Sequence, residues 1–119
     1  MPPLPETITA GGKSRTVDPH LQQRANQRPD VTAANIQEVI NNWLVRCIST
    51  DSDDNEGISY WGWISSESDS RVMHVVVSLD DERYVTAHRD RRALRALRKG
   101  TRGYFEKKCV GEIEVQDDN

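Results

Sequence analysis

The run Arg71-Val-Met-His-Val-Val-Val-Ser-Leu79 constrains this chain more than any other stretch. Val72 to Leu79 is rich in β-branched and apolar residues and has the length of one strand, too short for a typical helix. Asp80-Asp81-Glu82 supplies a tight polar connection, after which Arg83 to Ala87 resumes with the strand formers Tyr84, Val85 and Thr86. Two strand-like runs joined this closely predict an antiparallel hairpin. Val72 to Val77 is almost unbroken in its apolarity, which predicts a strand covered on both faces and therefore the centre of a sheet.

The remaining elements must pack on that strand or flank it. The chain has 119 residues, enough for one domain. Met1 to Arg15 carries three prolines, Gly11 and Gly12, and reads as a flexible arm with a short strand at most near Glu6–Thr9. Asp18 and Pro19 fit the N-cap and first turn of a helix running to about Gln27, where His20, Arg24 and Arg28 share one stripe; Pro29 ends it. Thr32 is the expected cap of a second helix, about Ala33 to Leu44, with Ile36, Val39, Ile40, Trp43 and Leu44 on its apolar face and Asn35, Glu38, Asn41 and Asn42 toward water. A strand over Val45–Ser49, an acidic turn, a strand over Ile58–Ile64 and a polar turn over Ser65–Ser70 lead to the central hairpin. Alternation puts Trp61 and Trp63 on one face, expected against the second helix, with Tyr60 on the other. A third, basic helix over His88–Lys99 uses Ala93, Leu94 and Leu97 as a narrow apolar stripe and Gly100 as its stop. The expected class is α+β: two N-terminal helices packed on an antiparallel sheet of about four strands, with a basic C-terminal helix. The arm takes residues 1–15, the domain 16–115 and a polar tail 116–119.

Charge is divided along the chain. Asp51 to Glu82 holds nine acidic residues and one basic one, whereas Arg83 to Lys108 holds ten basic residues and two acidic ones, although the net charge is only −3. Such a division gives two electrostatic faces, or two segments that neutralise each other. Cys47 and Cys109 lack metal-ligand spacing; Cys47 reads as a core residue, and a disulfide between the two is left open. The three histidines show no clustered spacing, so neither a metal nor a cofactor is expected. His74, inside the central strand, reads as a hydrogen-bonded core residue. No apolar signal segment and no membrane-length apolar run is present, and a cytoplasmic location is expected.

One order of features extends over roughly residues 17 to 88: His20-x3-Arg24-x3-Arg28, then Val31-Thr32 opening a helix that ends at Leu44, then an aromatic strand and the valine strand, closing on Thr86. This order resembles the small bacterial domain of unknown function 4258, a family that looks related to the RelE, ParE and BrnT toxins and their barnase-like relatives. The resemblance implies a helix pair on a curved antiparallel sheet and a metal-independent endoribonuclease or an inactive descendant of one. It maps His20 and Arg24 to the family's helix histidine and arginine, and Thr86 to its terminal strand threonine.

The chemistry of metal-free RNA cleavage asks for an acid, a base and cations around one phosphate. His20, Arg24, Arg28 and His88 are the candidate catalytic residues on that reading. Thr86, Arg89, Arg92, Arg95, Arg98 and Lys99 are the candidate nucleic-acid contacts. The expected function is a toxin-like domain acting on RNA; the alternative is a non-catalytic module of the same fold that binds nucleic acid or an acidic protein. RNA and a cognate antitoxin-like protein are the partners considered, with the chain a monomer or homodimer.

Overall fold

The computed structural model describes residues 4–51, 53–64 and 71–116. Two strands come first, β1 (Thr7–Ala10) and β2 (Lys13–Val17), then α1 (Pro19–Ala25), α2 (Ala33–Asn41), β3 (Val45–Thr50), β4 (Glu56–Ile64), β5 (Arg71–Ser78), β6 (Arg83–Arg89), α3 (Arg91–Lys99), α4 (Gly103–Lys108) and β7 (Glu114–Val115). One mixed sheet of seven strands runs in the order β1-β2-β6-β5-β4-β3-β7. The polar turn expected over Ser65–Ser70 and most of the polar tail lie outside the described residues.

The central hairpin is as expected. β5 is the middle strand of the seven, and Val72, Met73, Val75 and Val77 are fully buried between helices on both faces. β6 returns antiparallel to it through the Asp80–Glu82 turn, in which Asp81 adopts a positive φ of 65°. Both N-caps are also as read: the Asp18 carboxylate accepts from His20 N, and Thr32 Oγ1 accepts from Asn35 N. α2 stops at Asn41, three residues short of the expected end, because Leu44 N already donates to Trp61 O as β3 begins. The polar face of α2 needs one correction: Asn35 is buried, donating its side-chain amide to Asp30 O.

The four-stranded expectation is overturned by this sheet. Residues read as an arm form the β1–β2 hairpin, turned by Gly11 and Gly12 at φ 61° and 77°, the signature of a two-residue primed turn. β2 then pairs parallel to β6, Thr16 with Arg83 and Val17 with Tyr84, so the sheet is mixed. Arg15 locks the junction. Its buried guanidinium bonds Asp81 Oδ1 at 2.9 Å and Tyr84 OH at 3.2 Å, tying the hairpin to the β5–β6 turn. β7 adds a short edge on β3.

Helices cover both faces. α1 and α2 pack with the β1–β2 hairpin over Tyr60, Met73, Val75, Val77 and Tyr84. On the opposite face α3 and α4 bring Ala93, Ala96 and Phe105 onto Val45, Cys47, Trp61 and Val72. Trp61 is therefore core as expected but on the other side of the sheet: it meets Phe105 edge to face at 5.0 Å, while Tyr60 takes the α2 side. α3 begins at Arg91 rather than His88, because β6 continues to Arg89. Cys47 and Cys109 are paired, with Cα atoms 5.8 Å apart, so the C-cap of α4 is bonded to β3.

Candidate nucleic-acid interface

Asp90 organises the end of the central hairpin. It caps α3 by accepting from Ala93 N at 2.9 Å, and its second oxygen accepts from Trp61 Nε1 at 3.0 Å and Tyr104 OH at 2.7 Å. Burial alone would raise this carboxyl, but those hydrogen bonds outweigh it and hold the group below the ordinary carboxylate range. The carboxylate thus pins the start of α3 to β4 and α4, and fixes where the residues on either side of it, Arg89, Arg91 and Arg92, leave the sheet.

His88 and His74 face each other across β5 and β6, with ring centres 5.1 Å apart. His74 is buried, stacked on Trp61 at 4.3 Å, and shares a hydrogen bond of 2.8 Å between its Nε2 and Ser59 Oγ; Ser59 in turn bonds Ser49. Burial, with His88 and Lys108 nearby, pushes His74 down to about 3, so it is neutral at pH 7. His88 is half-buried. Burial lowers it too, Asp90 opposes the shift, and the charges of Arg28 and Lys108 add to it.

Ligand atoms of His74, His88 and Asp90 lie within 4.8 Å of one another, a spacing that the linear sequence concealed. The ligand atoms of the three are largely engaged within the protein. Asp90 already accepts three hydrogen bonds, His74 is engaged with Ser59, and the charges felt at His88 include Arg28 and Lys108.

A cleft of about 940 Å³ opens between the α1–α2 connection and the β6–α3 junction, lined by Arg28, Arg71, Arg89, Arg91, Arg92 and His88 among others. Its carboxylates are Asp30, paired with Arg71 at 2.7 Å, and the saturated Asp90. Arg28 donates to Ala87 O at 3.0 Å, and burial together with the charge of Arg24 lowers it from its ordinary value. Among the described residues, Arg28, Arg89, Arg91 and Arg92 have no carboxylate partner. The Nε atoms of Arg71 and Arg89 are buried without a hydrogen-bond partner. A row of guanidiniums with unspent donors is suited to phosphate oxygens.

The structure separates the residues singled out in the sequence. Arg28, His88, Arg89 and Arg92 come together in the cleft. Thr86 lines an adjoining cavity that shares His88. His20 and Arg24 are exposed and line neither space. Arg95, Arg98 and Lys99 are exposed further along α3, outside the cleft. Sequence reasoning missed Asp90, Tyr104, Lys108 and Ser59. The signal for Asp90 was present, as an acidic residue immediately before a basic helical pattern, but reading the helix from His88 placed it inside the first turn.

The fold and cleft define an α+β domain with helices on both faces of a mixed sheet and a cationic groove beside a histidine pair. No protein-family model matches the chain, and neither a curated protein nor a solved structure does. No helix among the described residues is long and apolar enough to cross a membrane.

Proposed function

We propose that this domain binds RNA through its phosphate backbone, along the cleft between the α1–α2 connection and the β6–α3 junction. The observation that carries the reading is the set of four arginines in that cleft without carboxylate partners among the described residues, one of them with a buried Nε that has no partner among them. The resemblance to the domain of unknown function 4258 and the RelE-like toxins points to the same substrate class. Binding is favoured over cleavage. His88 is the one histidine in the cleft, His20 stands apart from it, and His74, although its ring lies 5.1 Å from that of His88, is buried outside the cleft and hydrogen-bonded to Ser59, so the cleft itself holds no second histidine for the acid/base work that cleavage requires. A cognate acidic protein, as an antitoxin-like partner would be, competes for the same arginines on this reading.

A cytoplasmic setting agrees with the RNA reading, and there the Cys47–Cys109 bond would meet reducing conditions; the pair favours an oxidising compartment. Binding is therefore best measured with and without reductant.

The test is incubation of labelled total RNA with the protein in EDTA, alongside His88→Ala and His20→Ala. Shifted but intact RNA with all three proteins is expected. Cleavage by wild type that is lost in His20→Ala would overturn the preference for binding, and no association at low salt would overturn the RNA reading.

A further inference from the structure

Beside the arginine cleft, and sharing His88 with it, lies a second cavity of about 290 Å³. Its floor results from two departures from regular sheet. The β5–β6 ladder slips between Val76 and Val77: Val76 pairs with Thr86 and Val77 with Tyr84, which leaves Val85 as the extra residue of a bulge. Strict alternation would send Val85 and Thr86 to opposite faces, yet both line this cavity. Across β5, Gly57 lets the Val76 side chain lie directly against the β4 backbone at this floor. A Cβ there would sit 2.7 Å from Val76 Cγ1 and 3.0 Å from Val77 O, nearer than atoms pack.

The walls are chemically mixed. Val76, Val85 and the His88 ring give apolar and flat surface, while Ser49 and Thr86 offer hydroxyls. The rim carries Lys108 but also Glu56 and Asp51. Asp51 is spent on its own turn, accepting from Asp53 N at 2.8 Å and Asn55 N at 2.9 Å. The carboxylates disfavour a second phosphate here, in contrast with the arginine cleft on the other side of His88. A cavity of this volume holds about ten waters at ~30 Å³ each. That is room for one heterocyclic ring system and part of a sugar, and too little for a base pair.

We propose that this cavity takes a single unpaired nucleobase of an RNA strand whose phosphates run along the arginine cleft, with His88 at the turn between base and backbone. The proposal rests on the RNA reading above and narrows it: the ligand is single-stranded, since a base must leave its stack to enter. Val85 and Thr86 set how deep the base can go, and His88 contributes a ring against which it can stack.

Fluorescence anisotropy tests this with a labelled single-stranded RNA, the same strand made wholly abasic, and a blunt duplex of equal length. Wild type should bind the base-bearing strand on the order of tenfold more tightly than the abasic one, the scale of one stacked base, and more tightly than the duplex. Val85→Phe and Thr86→Phe, which fill the cavity, should reduce the base-bearing strand to the abasic level. Affinity for the abasic strand should stay unchanged in Val85→Phe, which also shows that this variant folds. Equal wild-type affinity for base-bearing and abasic strands overturns the base pocket while leaving the cleft reading intact. A preference that survives in both filled variants, or duplex binding as tight as the single strand, overturns it as well. Failure of wild type to bind either single strand overturns the cleft reading and this proposal with it.

Discussion

Reducing the Cys47–Cys109 bond should cost this domain a large share of its stability. The bond spans 62 positions in sequence, from β3 to the C-cap of α4. In the chain-entropy model, releasing a loop of this length returns about 14 cal/mol/K to the unfolded chain, or about 4 kcal/mol at 25 °C. Total stability of a domain this size is on the order of 5–15 kcal/mol. With an unfolding entropy of about 2.1 cal/mol/K per residue, the same loss lowers Tm by roughly 15 °C. Urea unfolding of the oxidised protein, the protein in excess phosphine reductant, and Cys47→Ser/Cys109→Ser measures it directly. The reduced and double-serine proteins should agree with each other and fall about 4 kcal/mol below the oxidised one. A difference under about 1 kcal/mol would refute the reasoning, because it would mean that the unfolded chain gains little freedom when the bond opens.

His74 gives the domain an acid limit. Its ordinary value of 6.5 applies in the unfolded chain, and burial takes it to about 3 in the folded one. The unfolded state therefore binds a proton first as pH falls. Stability from this residue is complete above about pH 6.5 and declines between there and about pH 3, at up to roughly 1.4 kcal/mol per pH unit. His74→Gln should flatten the profile between pH 7 and 5 in urea titrations, and an unchanged slope would contradict the assignment. Asp90→Ala removes the α3 cap and leaves Trp61 Nε1 and the Tyr104 hydroxyl without their acceptor. A loss of about 3 kcal/mol is expected in the same assay, and a loss no larger than an exposed cap's ~1 kcal/mol would show that the buried donors find other partners.

The centre of the fold was readable because one strand carries its own evidence. Val72–Val77 has the composition, length and flanking turn of a doubly covered strand, and the structure puts it in the middle of the sheet. Asp18 and Thr32 were equally legible, since capping is a local interaction between neighbours in sequence. The β1–β2 hairpin was not read, because its inward positions are few and small, Ile8, Ala10 and Val17, and much of what holds it is the distant Asp81 and Tyr84. Its Gly11-Gly12 turn was the available signal. Trp61 was assigned to the wrong side for a related reason: alternation states which residues share a face, while which helix covers that face depends on α3 and α4, later in the chain. In the site, Arg28, His88, Arg89 and Arg92 were named from charge and periodicity. Lys108 could not have been placed beside His88, because α4 reaches that position by packing Phe105 on Trp61 and by the bond at Cys109.

The salt dependence of RNA binding tests the central claim most directly. Arg28, Arg89, Arg91 and Arg92 line the cleft. If each of them meets one phosphate, single-stranded RNA at about −0.7 per phosphate gives a log–log slope of roughly −3. Arg89→Glu with Arg92→Glu should weaken binding and bring the slope to about half that value. A slope near zero, or one that the double charge reversal leaves unchanged, would place any RNA contact elsewhere and contradict the account.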